Sequence, residues 1–273
     1  MQEGVFQLLS DAGMPVRSSG RDYRPRLSLQ QSDTKLLKPQ NIIEMLQAGS
    51  RDVGFAGADW VQELGARVVE LLDTGLDPVR LVAAAPEGLL VRGALPRRPL
   101  VVASEYVRLT EAWIRRMGVD ATFVRSYGAT EVFPPEDADL IVDNTSSGST
   151  LRANALVIVD ELMRSSTRLY ASAQALEIPG KRDAIERLVL LLRSVLDARN
   201  RVMVEVNVAA AGLDAVIAAM PCMREPTIAS LRGGSGFAVK AAVQRSELPA
   251  LIPELKARGA TDVVVTALAQ LVP

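Results

Sequence analysis

The stretch Asp139-Leu-Ile-Val-Asp143-Asn-Thr-Ser-Ser-Gly148-Ser-Thr150-Leu151 decides the reading of this chain. It opens as a short apolar run, Leu140 to Val142, with a carboxylate at each end, the pattern of a buried strand whose tips reach a cleft. Small hydroxyl residues and glycine then dominate up to Thr150, after which Leu151-Arg-Ala-Asn-Ala-Leu156 is helix-compatible. A strand that runs through a Ser/Thr/Gly turn into a helix start leaves backbone N–H groups unpaired. Those groups and the helix dipole favour a phosphate. The side chains of Thr145, Ser146, Ser147, Ser149 and Thr150 add hydroxyl donors around Gly148. Asp139 and Asp143 are placed to hold ribose hydroxyls or a Mg²⁺ that travels with phosphates. The alternative is a plain polar turn with a Ser or Thr cap.

Composition narrows the chemistry. The 273 residues suffice for two or three domains, and 48% hydrophobic with 23% charged residues is ordinary globular usage. A net charge of −1 and 4% aromatics give no electrostatic or stacking footprint for nucleic acid. There is no histidine, which excludes serine–histidine triads, histidine metal sites and histidine general bases. Catalysis then rests on carboxylates, Lys/Arg, hydroxyls, backbone dipoles or an oxygen-bound metal. The single cysteine, Cys222, forms no intrachain disulfide and fits a reducing compartment. No apolar run approaches the ~18 residues of a membrane helix, and no signal peptide shows, so a cytoplasmic protein without a membrane partner is expected.

Around the central stretch, elements alternate. The first helix is expected over residues 2–12 and a basic loop over 17–26, including Arg21 as a candidate for anion contact. Strands are expected at 34–38, 52–57, 68–72, 79–85, 100–103, 122–125, 157–159 and 168–171. Helices are expected from Pro39, over 58–64, 109–117 and 181–198. The interleaving predicts a parallel α/β sheet. Glu131 falls near a short helix start, where a capping acid and a ligand contact are both open readings. The last ~75 residues follow β-α-β-β-α-β order, the ferredoxin-like split βαβ pattern, with Ser246 as the cap of its second helix.

Several short motifs together resemble the ATP phosphoribosyltransferase family in its long form with a C-terminal regulatory domain. They are Asp52-Val-Gly-Phe-Ala-Gly57, Arg80-Leu-Val-Ala-Ala-Ala-Pro86, Ala103-Ser-Glu-Tyr106, Tyr127-Gly-Ala-Thr-Glu131, the stretch from Asp139 to Leu156, and Arg224-Glu-Pro-Thr-Ile228. The resemblance implies two α/β lobes hinged like a type II periplasmic binding protein, plus a C-terminal ferredoxin-like βαββαβ domain. Lobe I would comprise 1–80 and 160–195, lobe II 81–159 with the loop for phosphoribosyl diphosphate (PRPP), and the regulatory domain 199–273.

It also implies a reaction: N1 of ATP attacks C1′ of PRPP, diphosphate leaves with Mg²⁺, and phosphoribosyl-ATP enters histidine biosynthesis, with histidine as feedback inhibitor. Residues 145–150 would hold the 5′-phosphate. Asp139, Asp143 and Glu131 would face the ribose or Mg²⁺, with Asp143 the metal candidate. Lys38 and Arg21 are candidates for ATP or diphosphate, and Thr227, Gly259 and Ala260 for histidine. A homo-oligomer, from dimer to hexamer, is implied. The alternative function is a catalytically impaired relative acting in regulation or small-anion binding.

The sequence departs from the family pattern in three places. The apolar strand and basic turn that usually precede the first helix are expected upstream of Met1. Asn144-Thr-Ser follows Asp143 where the family usually has an apolar pair before its Ser/Thr. Val107 stands where a proline is usual.

Overall fold

The computed structural model describes residues 1–17, 23–29, 32–223 and 225–272. The chain divides into two compact units, one of residues 1–6 and 17–186, the other of 7–16 and 187–273. Helix α1 (Gln2–Asp11) opens the chain, followed by the two-residue strands β1 (Val16–Arg17) and β2 (Arg26–Leu27), which stand apart from both main sheets.

The first unit is built on α2 (Pro39–Gln47), β3 (Val53–Gly57), α3 (Ala58–Leu64), β4 (Val69–Pro86), β5 (Leu100–Ser104), α4 (Val107–Met117), β6 (Ala121–Arg125), β7 (Leu140–Thr145), α5 (Ser149–Ala153), β8 (Leu156–Ala171) and α6 (Ala173–Glu177). Its six strands lie in the order β3-β8-β4-β7-β5-β6. Only β5 with β6 and β5 with β7 are parallel; β3, β4 and β8 join by antiparallel pairs. The sheet is therefore mixed, not parallel as the interleaving of elements suggested. The reason lies in β4 and β8: the two pairs of short strands expected at 68–72 with 79–85, and at 157–159 with 168–171, are two long continuous strands. Register shifts between Asp73 and Leu76 and between Leu76 and Val79 carry β4 through its Asp-Thr-Gly-Leu-Asp-Pro segment without ending it. Residues 34–38, expected as a strand, form none.

Both faces of this sheet are buried, which is why Leu140, Ile141 and Val142 are all apolar. The period of two sorts them. Leu81, Ala83, Ala85, Leu100, Val102, Leu140 and Val142 pack with Tyr106 and Trp113 on one face. Val82, Ala84, Ala103 and Ile141 pack with Leu151 and Leu156 on the other. Helices stop where the chain can turn left-handed: Gly65 after α3 at φ 57° and Gly118 after α4 at φ 63°.

The second unit takes in the later part of α7 (Pro179–Arg199), then β9 (Arg201–Val208), α8 (Leu213–Ala219), β10 (Thr227–Ser230), β11 (Phe237–Gln244), α9 (Leu248–Ala257) and β12 (Thr261–Ala267). Its sheet runs β10-β11-β9-β12, every neighbour antiparallel, with helices crossing between β9 and β10 and between β11 and β12. That is the ferredoxin-like arrangement expected from the element order. Val202, Val204, Val206 and Val208 alternate into one core with Val216, Val239, Val243, Leu251 and Leu255. Ser246 is not the cap of α9: it lies in a 3₁₀ turn, Arg245–Glu247, and the cap position falls to Glu247.

Candidate active site

Strands β5, β6 and β7 are mutually parallel, so their carboxyl ends gather at one edge of the first unit. In open α/β sheets that edge is where ligands bind. It receives Glu105 and Tyr106 after β5, Ser126 and Tyr127 after β6, and Asp143 with the hydroxyl-rich turn at the end of β7.

The turn is shaped by its own side chains. Thr145, buried, accepts the Gly148 N–H at its Oγ1 (3.1 Å), and Gly148 takes φ 73°, a conformation that favours glycine. The Arg152 guanidinium donates to the Ser147 carbonyl at 3.0 Å, and the Ser147 and Ser149 hydroxyls meet at 2.9 Å. Ser146, Ser147, Ser149 and Thr150 remain exposed at the start of α5.

Asp143 is the electrostatic centre of this edge. Its carboxyl is pushed up to about 6, first by burial and then by the nearby negative charges of Glu131 and Glu105, against a backbone N–H from Asn144 (2.7 Å) that favours the ionised form. Glu131 sits in the 3₁₀ turn Thr130–Val132. Asp143 and Glu131 therefore come together with the hydroxyl loop. Glu105, which the sequence offered only as part of a motif, joins them. The signal that could have found Glu105 is its place one residue past the end of a parallel strand.

Asp139 does not join them. It precedes β7 and so lies at the opposite end of that strand, about 20 Å from Thr145 at the usual strand rise. Its carboxylate accepts from the Val101 N–H at 2.8 Å and pairs with Arg98 at 2.7 Å. Burial raises its affinity for a proton, but those two bonds outweigh burial and hold it below the usual carboxylate range. Of the two carboxylates bracketing the apolar run, one reaches the ligand edge and the other pins β7 to β5.

Lys38 immediately precedes α2 and lines a cavity of about 130 Å³ with Gln40, Trp60, Glu105, Arg125, Ser126 and Tyr127. The Gln40 Oε1 is buried with no hydrogen-bond partner among the described residues. Glu105 thus lines this cavity and also acts electrostatically on Asp143, so the Lys38 candidate borders the Asp143 edge. Arg125 is a second cation there and stands over the Tyr127 ring at 5.3 Å. Arg21 lies outside the described residues. Arg80 is opposite Thr145 in the β4–β7 register and pairs with Glu161 at 3.4 Å.

The histidine candidates stand apart within one chain. Thr227 begins edge strand β10, while Gly259 and Ala260 precede β12 at the other edge. Three strand spacings, roughly 14 Å, separate those strands.

A hard cation fits the donor set at Asp143: oxygen ligands only, on a carboxyl whose pKa is raised first by burial and then by the neighbouring acids, both of which a cation would relieve. Among the described residues no three acid side chains converge closely enough to hold a metal by themselves. That suits Mg²⁺, which takes one or two carboxylates and completes its shell from water and substrate phosphates.

Fold and site together define an α/β enzyme framework with a hydroxyl-rich turn at the carboxyl ends of its parallel strands, joined to a ferredoxin-like module. Residues 38–194 match the family model described as ATP phosphoribosyltransferase, and residues 198–270 match that of its C-terminal domain. The chain is 35% identical over 268 residues to the ATP phosphoribosyltransferase of Chlorobaculum parvum, spanning 96% of this chain and 91% of that protein. It is 34% identical over 278 residues to that of Pelotomaculum thermopropionicum, spanning 100% and 96%. A solved chain from the ATP phosphoribosyl transferase (HisG:HisZ) complex of Thermotoga maritima shares the fold, with a TM-score of 0.63 at 22% identity over 71% of this chain and 93% of that one. The chain belongs to the ATP phosphoribosyltransferase family, the enzymes of the first step of histidine biosynthesis.

Proposed function

We propose that this chain transfers the phosphoribosyl group of PRPP to N1 of ATP, releasing diphosphate. The observation that carries the reading is the match to ATP phosphoribosyltransferases over essentially the whole chain, central loop included. The site's chemistry agrees. The adenine N1 lone pair forms the bond to C1′ as the bond from C1′ to the diphosphate oxygen breaks, so no base has to free the nucleophile. The protein's task is to position two polyanions and balance charge.

In this reading the turn at residues 145–150 holds the 5′-phosphate through backbone N–H groups and hydroxyls. Asp143 and Glu131 face the ribose, where positive charge grows as diphosphate departs. Lys38 and Arg125 offset the charge of diphosphate or of the ATP phosphates. Mg²⁺, held by Asp143 and substrate oxygens, would neutralise the leaving diphosphate. Histidine is proposed as feedback inhibitor through the ferredoxin-like module, and the working form as a cytoplasmic homo-oligomer. Among the described residues no helix is long and apolar enough to cross a membrane.

The test is phosphoribosyl-ATP formation from ATP, PRPP and Mg²⁺, with and without histidine. Turnover that Asp143→Ala or Thr150→Ala cuts by about 100-fold or more supports the reading. Near-normal turnover in either variant removes the loop from the site. PRPP binding without turnover would instead favour the small-anion-binding alternative.

A further inference from the structure

One departure from the family pattern has a partner in the fold. Asn144 follows Asp143 and, by the alternation of β7, points to the opposite face. There its Nδ2 donates to the Tyr106 hydroxyl at 3.0 Å. That hydroxyl donates in turn to Asp59 Oδ2 at 2.6 Å. Asp59, 5% exposed, accepts at Oδ1 from the Ser165 hydroxyl at 2.6 Å, and its own N–H donates back to Ser165 Oγ at 3.1 Å. The Tyr106 ring is fully buried and stacks on Trp60 at 4.6 Å, and its N–H is held by Ser104 Oγ at 2.9 Å. Ser104 Oγ donates to the Val142 carbonyl at 2.5 Å. A single chain of bonds therefore runs from α3 and β8 through Tyr106 to β7, one residue beyond Asp143 and one before the turn. Burial and the Asp59 charge push the Tyr106 phenol far above its ordinary range, so it remains a donor to Asp59 and an acceptor for Asn144.

We propose that Asn144 is a positioning residue: anchored through the Tyr106 hydroxyl to the Asp59–Ser165 pair, it fixes the end of β7 that presents Asp143 and the turn at residues 145–150. An apolar side chain at this position could pack but could not bond to Tyr106. The amide thus gives the turn of this chain a polar tether to the buried framework. The role as a substrate loop rests on the function proposed above; the tether itself does not.

Two readouts on wild type, Asn144→Leu, Tyr106→Phe and the double variant keep the two apart. Leucine keeps the branched outline of asparagine, so Asn144→Leu is expected to melt within a few degrees of wild type; phenylalanine keeps the stack on Trp60 but leaves Asp59 to Ser165 alone, so Tyr106→Phe is expected to melt several degrees lower yet remain folded. Amide hydrogen exchange without substrate is expected to quicken in residues 145–150 by about fivefold to tenfold in each single variant, with little further change in the double, since each removes the same link. In steady-state assays KM for PRPP is expected to rise by a similar factor while KM for ATP stays within twofold. Unchanged exchange at 145–150 in Asn144→Leu overturns the tether, as does additivity of the two substitutions. If exchange quickens while wild-type protein forms no phosphoribosyl-ATP, the tether stands and the proposed activity fails. Quickened exchange with an unchanged KM for PRPP overturns the positioning role.

Discussion

Asp143 illustrates what a single residue gives up for a site. Its folded carboxyl titrates near 6, above the ~3.9 of an unfolded aspartate. Between those values the folded protein binds more protons than the unfolded chain, so stability falls as pH rises from about 4 to about 6 and the cost is complete above that. With solvent screening of this half-buried group, the cost is about 2 kcal/mol. Asp143→Asn is therefore expected to melt above wild type at pH 8 and to lose that advantage near pH 4, while phosphoribosyl transfer collapses. Melting curves at the two pH values check the sign. Asp139 behaves in the opposite way. Its two bonds at the far end of β7 serve the sheet, so Asp139→Ala is expected to cost about 1–2 kcal/mol, mainly through the unpaired Val101 N–H, since the half-exposed Arg98 keeps its bond to the Pro99 carbonyl. Its KM for PRPP should stay near wild type, and urea titration beside steady-state kinetics separates the two effects. The pattern of residues 139–143 showed a buried strand with an acid at each end. It could not show which end lies at the carboxyl edge of the parallel strands, because that depends on the direction of β5 and β6 beside it.

Among the elements, α4 shows how far local sequence reaches. Its amphipathic span and its Gly118 stop are local signals, and the helix was legible within two residues at its start. Its cap was not. No side chain near residue 107 closes the N-terminus; instead Glu63, on α3 and 8% exposed, accepts the N–H groups of Arg108 and Leu109 at 3.0 Å each. A carboxylate at a helix N-terminus meets both the unpaired donors and the dipole. Glu63→Ala is expected to lower stability by about 2 kcal/mol and Glu63→Gln, which keeps one acceptor, by about half of that, read by urea denaturation. A reverse order would assign Glu63 to packing alone. The long strands β4 and β8 were hidden for a similar reason. The Asp-Thr-Gly-Leu-Asp-Pro segment of residues 73–78 reads as a turn, and only its pairing with β8 carries the strand across it.

At the scale of the whole molecule, the ferredoxin-like module was legible from its element order, and its expected start at residue 199 lies one residue from the start of the C-terminal-domain match at 198–270. The sequence sets a boundary near residue 199, after a long helix. Residues 7–16 and 187–198 group with the module in one compact unit all the same. The buried side chains follow that grouping. Leu8, Leu9, Ala12 and Met14 from the N-terminal segment, and Leu192, Val195 and Ala198 from α7, are each less than 9% exposed. Within this unit Arg199 pairs with Asp11 at 2.9 Å, and the Leu271 N–H donates to the Ser194 carbonyl. A fragment ending at Arg199 would keep these apolar side chains and lose the bonds Leu271 N–H to Ser194 and Gln270 to Asp11. Where the module covers them, exposing three or four costs about 2 kcal/mol apiece. At ~2–4 °C per kcal/mol for a chain of this length, the fragment 1–199 is expected to melt about 15 °C or more below the full chain, or to bind a hydrophobic dye without a cooperative transition. Had the boundary at 199 marked a separable appendage, the fragment would melt within a few degrees of the intact protein. In that case α1 and α7 would be covered mainly by one another, whereas a large drop would show that the module covers them.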